Sequence, residues 1–526
     1  MLKKSLATLG LTCILFSWQT AVCSQRISGN SSAVQELLRL AAAHMQAGDL
    51  NSAEGELRKA VALAPNDVTA LAMLGGVLGM QHRLEESSTF FEKALQLDPA
   101  NPDLRRNLAA NQLQLGLTTA ATRNLQALLK SNPGDRQAIL MLGLAWERAQ
   151  DFPQAITCLE QVPELVRQQP DCIAALARSY YRTGQKEKAR GRLSQLQDSA
   201  ASPATIYLGG QMALEAKDWD MAEKLFTSIQ STHPKPFLVA YQLARIRYET
   251  GRFHESRMLL EPIANSPESN GSVLNMLAWC YLKERDEETA KKILSYATDN
   301  FPAEASNFVD LGKLCLKDNS LDKGLDVVRR GAARHPGSGP LFELKGELES
   351  KQGLHAPAAQ SYKQAVRLNP RSPEALLGLA LAQTNLLQGK DAVASFEKGL
   401  KLFPRDARFY AEYGKVLLLP WASGEIAGAE ARAEQLLKKA IQLDASLAMA
   451  HFELGSLLVK SQRAEEALPH LEKAVKFDAR NAQAHFVLAR AYRTLGKTAE
   501  AEREMLLFEK LQPATSGKGS NPPDEQ

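Results

Sequence analysis

The sequence predicts an all-α solenoid of about fourteen helix–turn–helix units, and three observations support this prediction. One phrase recurs about every 34 residues, as in KAVALAPN at 59–66, KALQLDPA at 93–100 and KKAIQLDA at 438–445. Within each half of the period, apolar residues are spaced three and four apart, as on one face of a helix. A fixed period of this length is typical of stacked repeats that share one elongated core, which favours a binding surface over a catalytic pocket.

Composition agrees with stacked helices and argues against bulk nucleic-acid binding. The chain has 526 residues, of which 44% are hydrophobic and only 6% aromatic. Apolar surface is therefore ample for a core built from alanine and leucine. The 63 Lys+Arg residues against 59 Asp+Glu give a formal net charge of +4. A chain this close to neutral lacks the electrostatic footprint of a nucleic-acid-binding protein.

The first 24 residues resemble a secretory signal. Residues 1–4 include two lysines, residues 6–16 are an apolar run, and small residues at 21–24 suit cleavage after Ser24. The apolar run is too short to span a bilayer comfortably. We therefore expect an extracytoplasmic protein, periplasmic or secreted. Two alternatives remain: an uncleaved anchor, or a lipoprotein signal in which Cys23 carries the lipid, although Thr20 and Val22 fit that motif poorly.

Four cysteines remain beyond this leader: Cys158, Cys172, Cys280 and Cys315. None has the CxxC or Cys/His spacing of a zinc site. The preferred interpretation is four small buried apolar side chains on helices. In an exported chain Cys280 and Cys315 would be the more plausible disulfide pair.

Small residues at two fixed positions explain how paired helices would approach. The positions of each 34-residue repeat are numbered from 1 to 34, and the first repeat begins at Val34. Position 8 is then Gly or Ala in all fourteen repeats. Position 20 is Ala in eleven units and Ser87, Ser256 and Gly324 in the others. Two helices approach closely where one presents almost no side chain. Glycine at position 15 in six units is predicted to end the first helix in a left-handed turn, and proline at position 32 to stop the second helix.

This pattern resembles the tetratricopeptide repeat family, whose 34-residue unit has small residues at 8 and 20 and proline at 32. The resemblance covers residues 34–515. It implies a right-handed superhelix whose first helices line a concave groove, and a partner that differs from member to member.

Several segments depart from the pattern and set the expected boundaries. We expect the signal at 1–24, a lead-in at 25–33, the solenoid at 34–515 and a disordered tail at 516–526. A hinge is expected near 197–203, and Pro163 and Pro262 should shorten or kink the second helices that contain them. An insertion near 420–427 carries Trp421, which either contacts a partner or folds back over its own 34-residue repeat.

Catalysis, cofactor binding and metal binding have no support in the sequence. The chain contains no GxxxxGK[ST], GxGxxG after a strand, HExxH or GxSxG motif. His44, His451 and His485 are expected to be structural, and carboxylates fall mostly on outward faces. We therefore expect a protein that is not an enzyme and that requires no cofactor or metal.

The resemblance implies that positions 5, 9 and 12 of the first helices face the groove. There the middle units present aromatic rings beside cations, which are the residue types of binding hot spots. Some of these rings could instead pack between repeats. The predicted partner-binding residues are Arg178, Tyr181, Tyr207, Tyr241, Arg245, Tyr248, Asn275, Trp279 and Lys313.

The functional hypothesis is a non-enzymatic scaffold that binds peptide segments or partner subunits outside the cytoplasm. The alternative is a tethered accessory subunit of an envelope complex for glycan synthesis, export or secretion. Neither hypothesis involves nucleic acid, and a membrane enters only through an uncleaved or lipidated N-terminus.

Overall fold

The computed structural model describes residues 32–198 and 201–511. The predicted signal at 1–24, most of the lead-in at 25–33 and the tail at 516–526 lie outside these residues, as do residues 199–200 of the predicted hinge. The described residues divide into two compact units, one ending at Glu268 and the other beginning at Ser269. Each unit is described by itself below.

The first unit contains fifteen helices among its described residues. They are α1 (Ser32–Gln46), α2 (Leu50–Leu63), α3 (Val68–Met80), α4 (Leu84–Leu97), α5 (Pro102–Gln114), α6 (Thr118–Ser131), α7 (Arg136–Arg148), α8 (Phe152–Leu159), α9 (Pro163–Gln168), α10 (Pro170–Arg182), α11 (Lys186–Asp198), α12 (Pro203–Glu215), α13 (Trp219–Ser228), α14 (Pro236–Glu249) and α15 (Phe253–Ala264).

The second unit also contains fifteen described helices. They are α16 (Gly271–Lys283), α17 (Glu287–Asn300), α18 (Ala305–Lys317), α19 (Leu321–Arg334), α20 (Gly339–Lys351), α21 (His355–Leu368), α22 (Pro373–Asn385), α23 (Gly389–Leu402), α24 (Ala407–Leu417), α25 (Pro420–Glu425), α26 (Ala429–Leu443), α27 (Ala448–Lys460), α28 (Ala464–Phe477), α29 (Ala482–Thr494) and α30 (Thr498–Leu511).

With the two short helices α9 and α25 set aside, the remaining helices form seven contacting pairs in each unit. In a regular pair the first helix covers positions 1–13 of the repeat and the second covers positions 17–30, as in α3 and α4. The all-α solenoid of about fourteen repeats is therefore confirmed for the described residues.

The small residue at position 8 lies where the second helix is closest. A Cβ atom added to Gly75 would lie 3.1 Å from the ring of Phe91, and one added to Gly210 would lie 2.8 Å from the ring of Phe226. Phe91 and Phe226 both occupy position 24 of their repeats. Position 8 thus provides the space that the large side chain at position 24 fills, which is why close packing requires glycine or alanine there.

Serine at position 20 adds a hydrogen bond within the same notch. Oγ of Ser87 donates to the carbonyl oxygen of Gly75 at 2.6 Å, and Oγ of Ser256 donates to that of Ala244 at 2.7 Å. Both acceptors are at position 8 of the same repeat. The two serines are fully buried, so this bond satisfies a hydroxyl that would otherwise destabilise the core.

Position 15 adopts the left-handed conformation that its glycines predict, with φ between +74° and +80° at the six glycines. Seven other residues at this position adopt it too, with φ between +53° and +68°: His82, Gln150, Lys217, Arg285, Asn319, Leu387 and Gln462. These are all the non-glycine residues with positive φ in the described chain. The turn is therefore imposed by helix packing, even where the residue type disfavours it.

Replacing Leu387 with glycine is expected to stabilise the second unit by about 0.5–1 kcal/mol. A left-handed conformation costs a residue with a Cβ about 1–2 kcal/mol, whereas the extra chain entropy of glycine costs about 0.5–1 kcal/mol. The Leu387 side chain is 77% exposed, so little packing is lost. Urea unfolding of both proteins measures the difference, and Gly353→Ala should shift the midpoint in the opposite direction. A loss of stability in Leu387→Gly would contradict the expectation.

The predicted irregularities have local consequences. The helix before Pro163 ends at Leu159, and Pro163 begins the separate six-residue helix α9. Pro262 lies inside α15, two residues before its end at Ala264. The segment at 420–427 contains the short helix α25, which separates α24 from its partner α26. In the part of the chain that the structure describes, no helix is long and apolar enough to cross a membrane.

Candidate functional site

The candidate residues lie on first helices, at positions spaced three and four apart. Such residues share one side of a helix, and position 8 on another side contacts the second helix. We call this side, at positions 5, 9 and 12, the first-helix face. In the first unit it is formed by α10, α12 and α14, and in the second unit by α16 and α18.

Arg178 on α10 is tied to the preceding repeat. Its guanidinium forms an ion pair with Glu147 on α7, whose side chain is only 4% exposed. Burial raises the pKa of Glu147, and the nearby charge and hydrogen bond of Arg178 oppose that rise. Arg178 therefore compensates a buried carboxylate between neighbouring first helices.

Tyr181, also on α10, contacts a buried carboxylate in the next repeat. Its hydroxyl donates to Oδ2 of Asp218 at 2.9 Å. Arg190 on α11 donates to both oxygens of the same carboxylate, at 2.8 and 2.6 Å, and Lys186 lies 3.5 Å away. Asp218 is fully buried. Burial raises the pKa of Tyr181, and its bond to Asp218 raises it further.

Tyr207 on α12 is half-buried among aromatic neighbours. Its ring packs edge-on against Phe226 at 5.2 Å and beside His233 at 5.0 Å between ring centroids. Nε2 of Gln242 on α14 lies 3.4 Å from its hydroxyl. One ring edge therefore serves packing, as the alternative interpretation of the sequence anticipated.

The α14 helix carries the most accessible of the first-unit candidates. Tyr241 and Tyr248 are half-buried, and the ring of Tyr248 packs edge-on against Phe253 at 5.3 Å. Arg245 lies between the two tyrosines, is exposed, and forms no ion pair with any residue that the structure describes. The arrangement leaves a cation in solvent beside two aromatic rings.

In the second unit, Asn275 and Trp279 on α16 converge on a residue that sequence reasoning did not select. Nδ2 of Asn275 and Nε1 of Trp279 donate to Oδ2 of Asp310 on α18, at 2.8 and 2.9 Å. Asp310 occupies position 6 of the next repeat. Lys313, one turn beyond it, is exposed without an ion pair among residues 269–511.

Trp421 packs against the repeat that precedes its own. A Cβ added to Gly389 at the start of α23 would lie 2.9 Å from Cε3 of the Trp421 ring. The ring is half-buried, and its Nε1 is buried without a hydrogen-bond partner among the described residues. The ring thus packs against the second helix of the preceding repeat, and whether it also contacts a partner stays a prediction.

Two of the histidines are held by structural contacts. His451 is fully buried, with Nδ1 3.0 Å from Nδ1 of His470, and Nδ1 of His485 lies 2.6 Å from Glu504. All four cysteines beyond the leader are buried. No group of three or more His, Cys, Asp or Glu side chains in residues 32–198 or 201–511 could hold a metal ion.

Comparison with known proteins identifies the repeat. Models described as tetratricopeptide repeat match residues 38–102, 344–389, 420–479 and 452–513, and a second such model matches residues 80–142. The matched segments therefore occur in both units.

Curated relatives share part of their length with this chain. The Protein CTR9 homolog of Arabidopsis thaliana is 23% identical over 340 residues, which cover 61% of this chain and 31% of the relative. Cellulose synthase operon protein C of Pseudomonas fluorescens is 22% identical over 349 residues, covering 61% and 27%. The same protein of Xanthomonas axonopodis is 27% identical over 190 residues, covering 34% and 13%. The chain thus spans less than a third of each of these relatives.

Solved structures with similar helical arrays include the Cut9–Hcn1 hetero-tetramer, with a TM-score of 0.38 and 13% identity over 88% of this chain and 96% of that one. Yeast Tom70 has a TM-score of 0.35 and 16% identity over 91% and 92%. The helix pairs, their small residues at positions 8 and 20, and the repeated model matches lead to one conclusion. The chain belongs to the tetratricopeptide repeat family.

Proposed function

We propose that this protein is a non-enzymatic scaffold that binds peptide segments or partner subunits on its first-helix faces, outside the cytoplasm. Tetratricopeptide repeat proteins are suited to protein–protein interaction, because stacked units expose an extended surface and leave no segment to build a closed pocket. The observation that carries the proposal is Arg245, an exposed and unpaired cation between the half-buried rings of Tyr241 and Tyr248.

The chemistry of this surface favours a partner segment that combines a carboxylate with an apolar side chain. A guanidinium binds a carboxylate through two parallel hydrogen bonds. Aromatic rings beside it supply apolar contact area at a small entropic cost. In the second unit, Lys313 and the ring of Trp279 offer the same pair of chemistries at position 9 of neighbouring repeats. Asn275 contributes by holding α16 against α18, whereas Arg178 and Tyr181 join helices earlier in the first unit.

The expected site of action rests on the predicted signal at 1–24. The alternative is a tethered accessory subunit of an envelope complex for glycan synthesis, export or secretion. The similarity to two proteins named for a cellulose synthase operon supports it. Intact-mass measurement of the protein recovered from cells separates the two. A mass that matches a chain beginning at Gln25 supports free release. A mass that matches a chain beginning at Cys23 with an added lipid supports tethering.

Reversing the charge of Arg245 is expected to reduce partner capture at least tenfold. A photoreactive phenylalanine analogue is placed at Tyr241 in the full chain, and cross-linked partners are quantified in cells with and without Arg245→Glu. The loss follows because a glutamate repels the carboxylate that the guanidinium would bind.

Two matched controls accompany this measurement. Arg123→Glu changes the same charge at an exposed residue of the second helix α6, which has no ion pair in the described chain, and should leave capture unchanged. The photoreactive residue at Tyr296, 55% exposed on α17, should capture little. If the protein with Arg245 and the Arg245→Glu variant captured partners equally, this surface would be excluded as the binding site.

A further inference from the structure

The last two repeats of the second unit each carry a buried histidine at position 4 of the first helix. These are His451 on α27 and His485 on α29, which are 0% and 5% exposed. In each ring Nε2 lies 3.2 Å from a backbone carbonyl oxygen of the preceding turn, that of Ala445 or that of Ala479. Because a carbonyl oxygen only accepts, Nε2 carries a hydrogen in both rings, and Nδ1 is left to meet the second helix.

The side chain that meets Nδ1 differs between the two repeats, although it comes from position 23 in both. In the last repeat Nδ1 of His485 lies 2.6 Å from Oε2 of Glu504 on α30, so both ring nitrogens face acceptors and a doubly protonated ring satisfies both. In the preceding repeat Nδ1 of His451 lies 3.0 Å from Nδ1 of His470 on α28. The two repeats thus hold the same buried histidine with opposite requirements for protons.

The contact between His451 and His470 needs a single hydrogen between the two Nδ1 atoms. With both rings neutral, Nδ1–H of His470 donates to the lone pair on Nδ1 of His451. When both rings are protonated, two N–H groups face each other at 3.0 Å between two cations, and the contact becomes repulsive. The pair therefore holds α28 against α27 only while at least one of the rings is neutral.

The helices around the pair add positive charge to it. Burial lowers the pKa of both histidines, and the charge of Lys473 on α28 lowers both further. His451 itself and Lys438 on α26 also lower the pKa of His470, whereas the carbonyl of Ala445 opposes the shift of His451. Helices α24 and α29, which also contact α27, add no charge that shifts the pKa of either ring in the described chain.

These shifts make the pair stabilising at neutral pH and destabilising in acid. A histidine whose pKa is lower in the folded state than in the unfolded state, where it is about 6.5, binds its proton more readily after unfolding. The contribution of the pair is therefore fully present above about pH 6.5 and is lost as the pH falls from there through the folded-state pKa values.

The surroundings disfavour a metal ion between the two rings. Among residues 269–511, His451 and His470 belong to no group of three His, Cys, Asp or Glu side chains that could hold one. The charges of Lys473 and Lys438, which act on the pair, would repel a second cation. A shared proton explains the contact without a further ligand.

We propose that the repeat at 448–481 is an acid-sensitive joint, in which protonation of both His451 and His470 separates α28 from α27 at mildly acidic pH. The last repeat packs on both of these helices, so their separation loosens its attachment, while α29 and α30 stay paired through His485 and Glu504. The surface at this end of the second unit is then complete in neutral surroundings and disrupted in acid. The inference needs only the fold and does not rest on the proposed function.

The test is hydrogen exchange of the full chain at about pH 7.5 and about pH 5, the two sides of the range in which histidine titrates. Rates are corrected for the pH dependence of the intrinsic exchange reaction. We expect the amides of α28 to lose protection at least tenfold at the lower pH. The helices α22 and α23, which contain no histidine, should change by less than twofold.

The neighbouring repeat supplies the variants. His470→Glu gives position 23 the residue that Glu504 provides one repeat later, and the protection of α28 should then change by less than twofold between the two pH values. Glu504→His is the reciprocal change and should make α30 sensitive to acid. The control is His355→Glu at the start of α21, a half-buried histidine that lies 3.5 Å from Asn385, and it should leave the loss in α28 intact. Circular dichroism at about pH 7.5 checks that each variant is folded.

Three outcomes would overturn the proposal. They are unchanged protection of α28 in acid in the natural protein, an equal loss in every helix of the second unit, and a loss in α28 that persists in His470→Glu. If EDTA removed the protection of α28 at neutral pH, the two histidines would hold a metal ion, which would also overturn the proposal. The first two outcomes need only the natural protein, so a variant that fails to fold leaves the test decisive.

Discussion

Replacing Tyr362 with alanine is expected to cost the second unit about 3–5 kcal/mol of unfolding free energy, the range for deleting a buried aromatic ring. Tyr362 is 6% exposed at position 24 of its repeat. A Cβ added to Gly346 on α20 would lie 2.9 Å from its ring, and the ring also occupies the space beside Gly378 on α22. The one side chain therefore joins two successive repeats.

Hydrogen exchange is the appropriate measurement, because stacked repeats need not unfold in a single step. We expect amides of α20, α21 and α22 to lose protection in Tyr362→Ala, while those of α1 to α4 keep it. Tyr296→Ala is the matched control, because that tyrosine is 55% exposed, and its cost should stay below about 0.5 kcal/mol. A cost below about 1 kcal/mol for Tyr362→Ala would show that the ring is not the joint between these repeats.

The Tyr362 contacts show which part of the fold the sequence predicts well. Position 8, position 20 and position 24 meet within one helix pair, so a pattern repeated every 34 residues contains the packing rule. The same holds for position 15, where six glycines indicate the turn. That seven other residue types adopt the same turn could not be predicted, because packing on both sides overrides the local preference.

The candidate site was harder to predict because its contacts join different repeats. Tyr181 reaches Asp218, Arg178 reaches Glu147 and Asn275 reaches Asp310, with about one repeat between the members of each pair. Residue type and position identify a side chain on the first-helix face, but not whether a neighbouring repeat already supplies its partner. Only the structure separates the exposed Arg245 and Lys313 from the tied Arg178 and Tyr181.

Replacing Asp218 with asparagine is expected to destabilise the first unit by about 2–3 kcal/mol at pH 7. The buried carboxylate accepts hydrogen bonds from Tyr181 and Arg190, and hydrogen bonds to charged groups contribute about 1.5–3 kcal/mol. Asparagine keeps one acceptor oxygen but turns an amide toward the guanidinium, which is 31% exposed and so retains some hydration. Asp220→Asn is the matched control, since that side chain is 95% exposed and lies 3.7 Å from Arg190.

The pH dependence of this effect distinguishes a charge interaction from a simple loss of packing. Burial raises the pKa of Asp218, but the hydrogen bonds from Arg190 and Tyr181 outweigh it and leave the folded-state pKa below its usual value. A carboxyl group with a lowered folded-state pKa stabilises the fold above its unfolded pKa, about 3.9, and loses that contribution as the pH falls from there through the folded-state pKa. The natural protein and Asp218→Asn should therefore differ fully at pH 7, and the difference should begin to shrink at about pH 4 and disappear only below the folded-state pKa. A difference that stays constant down to pH 3 would mean that the asparagine disturbs packing, and that the carboxylate does not hold α10, α11 and α13 together through its charge.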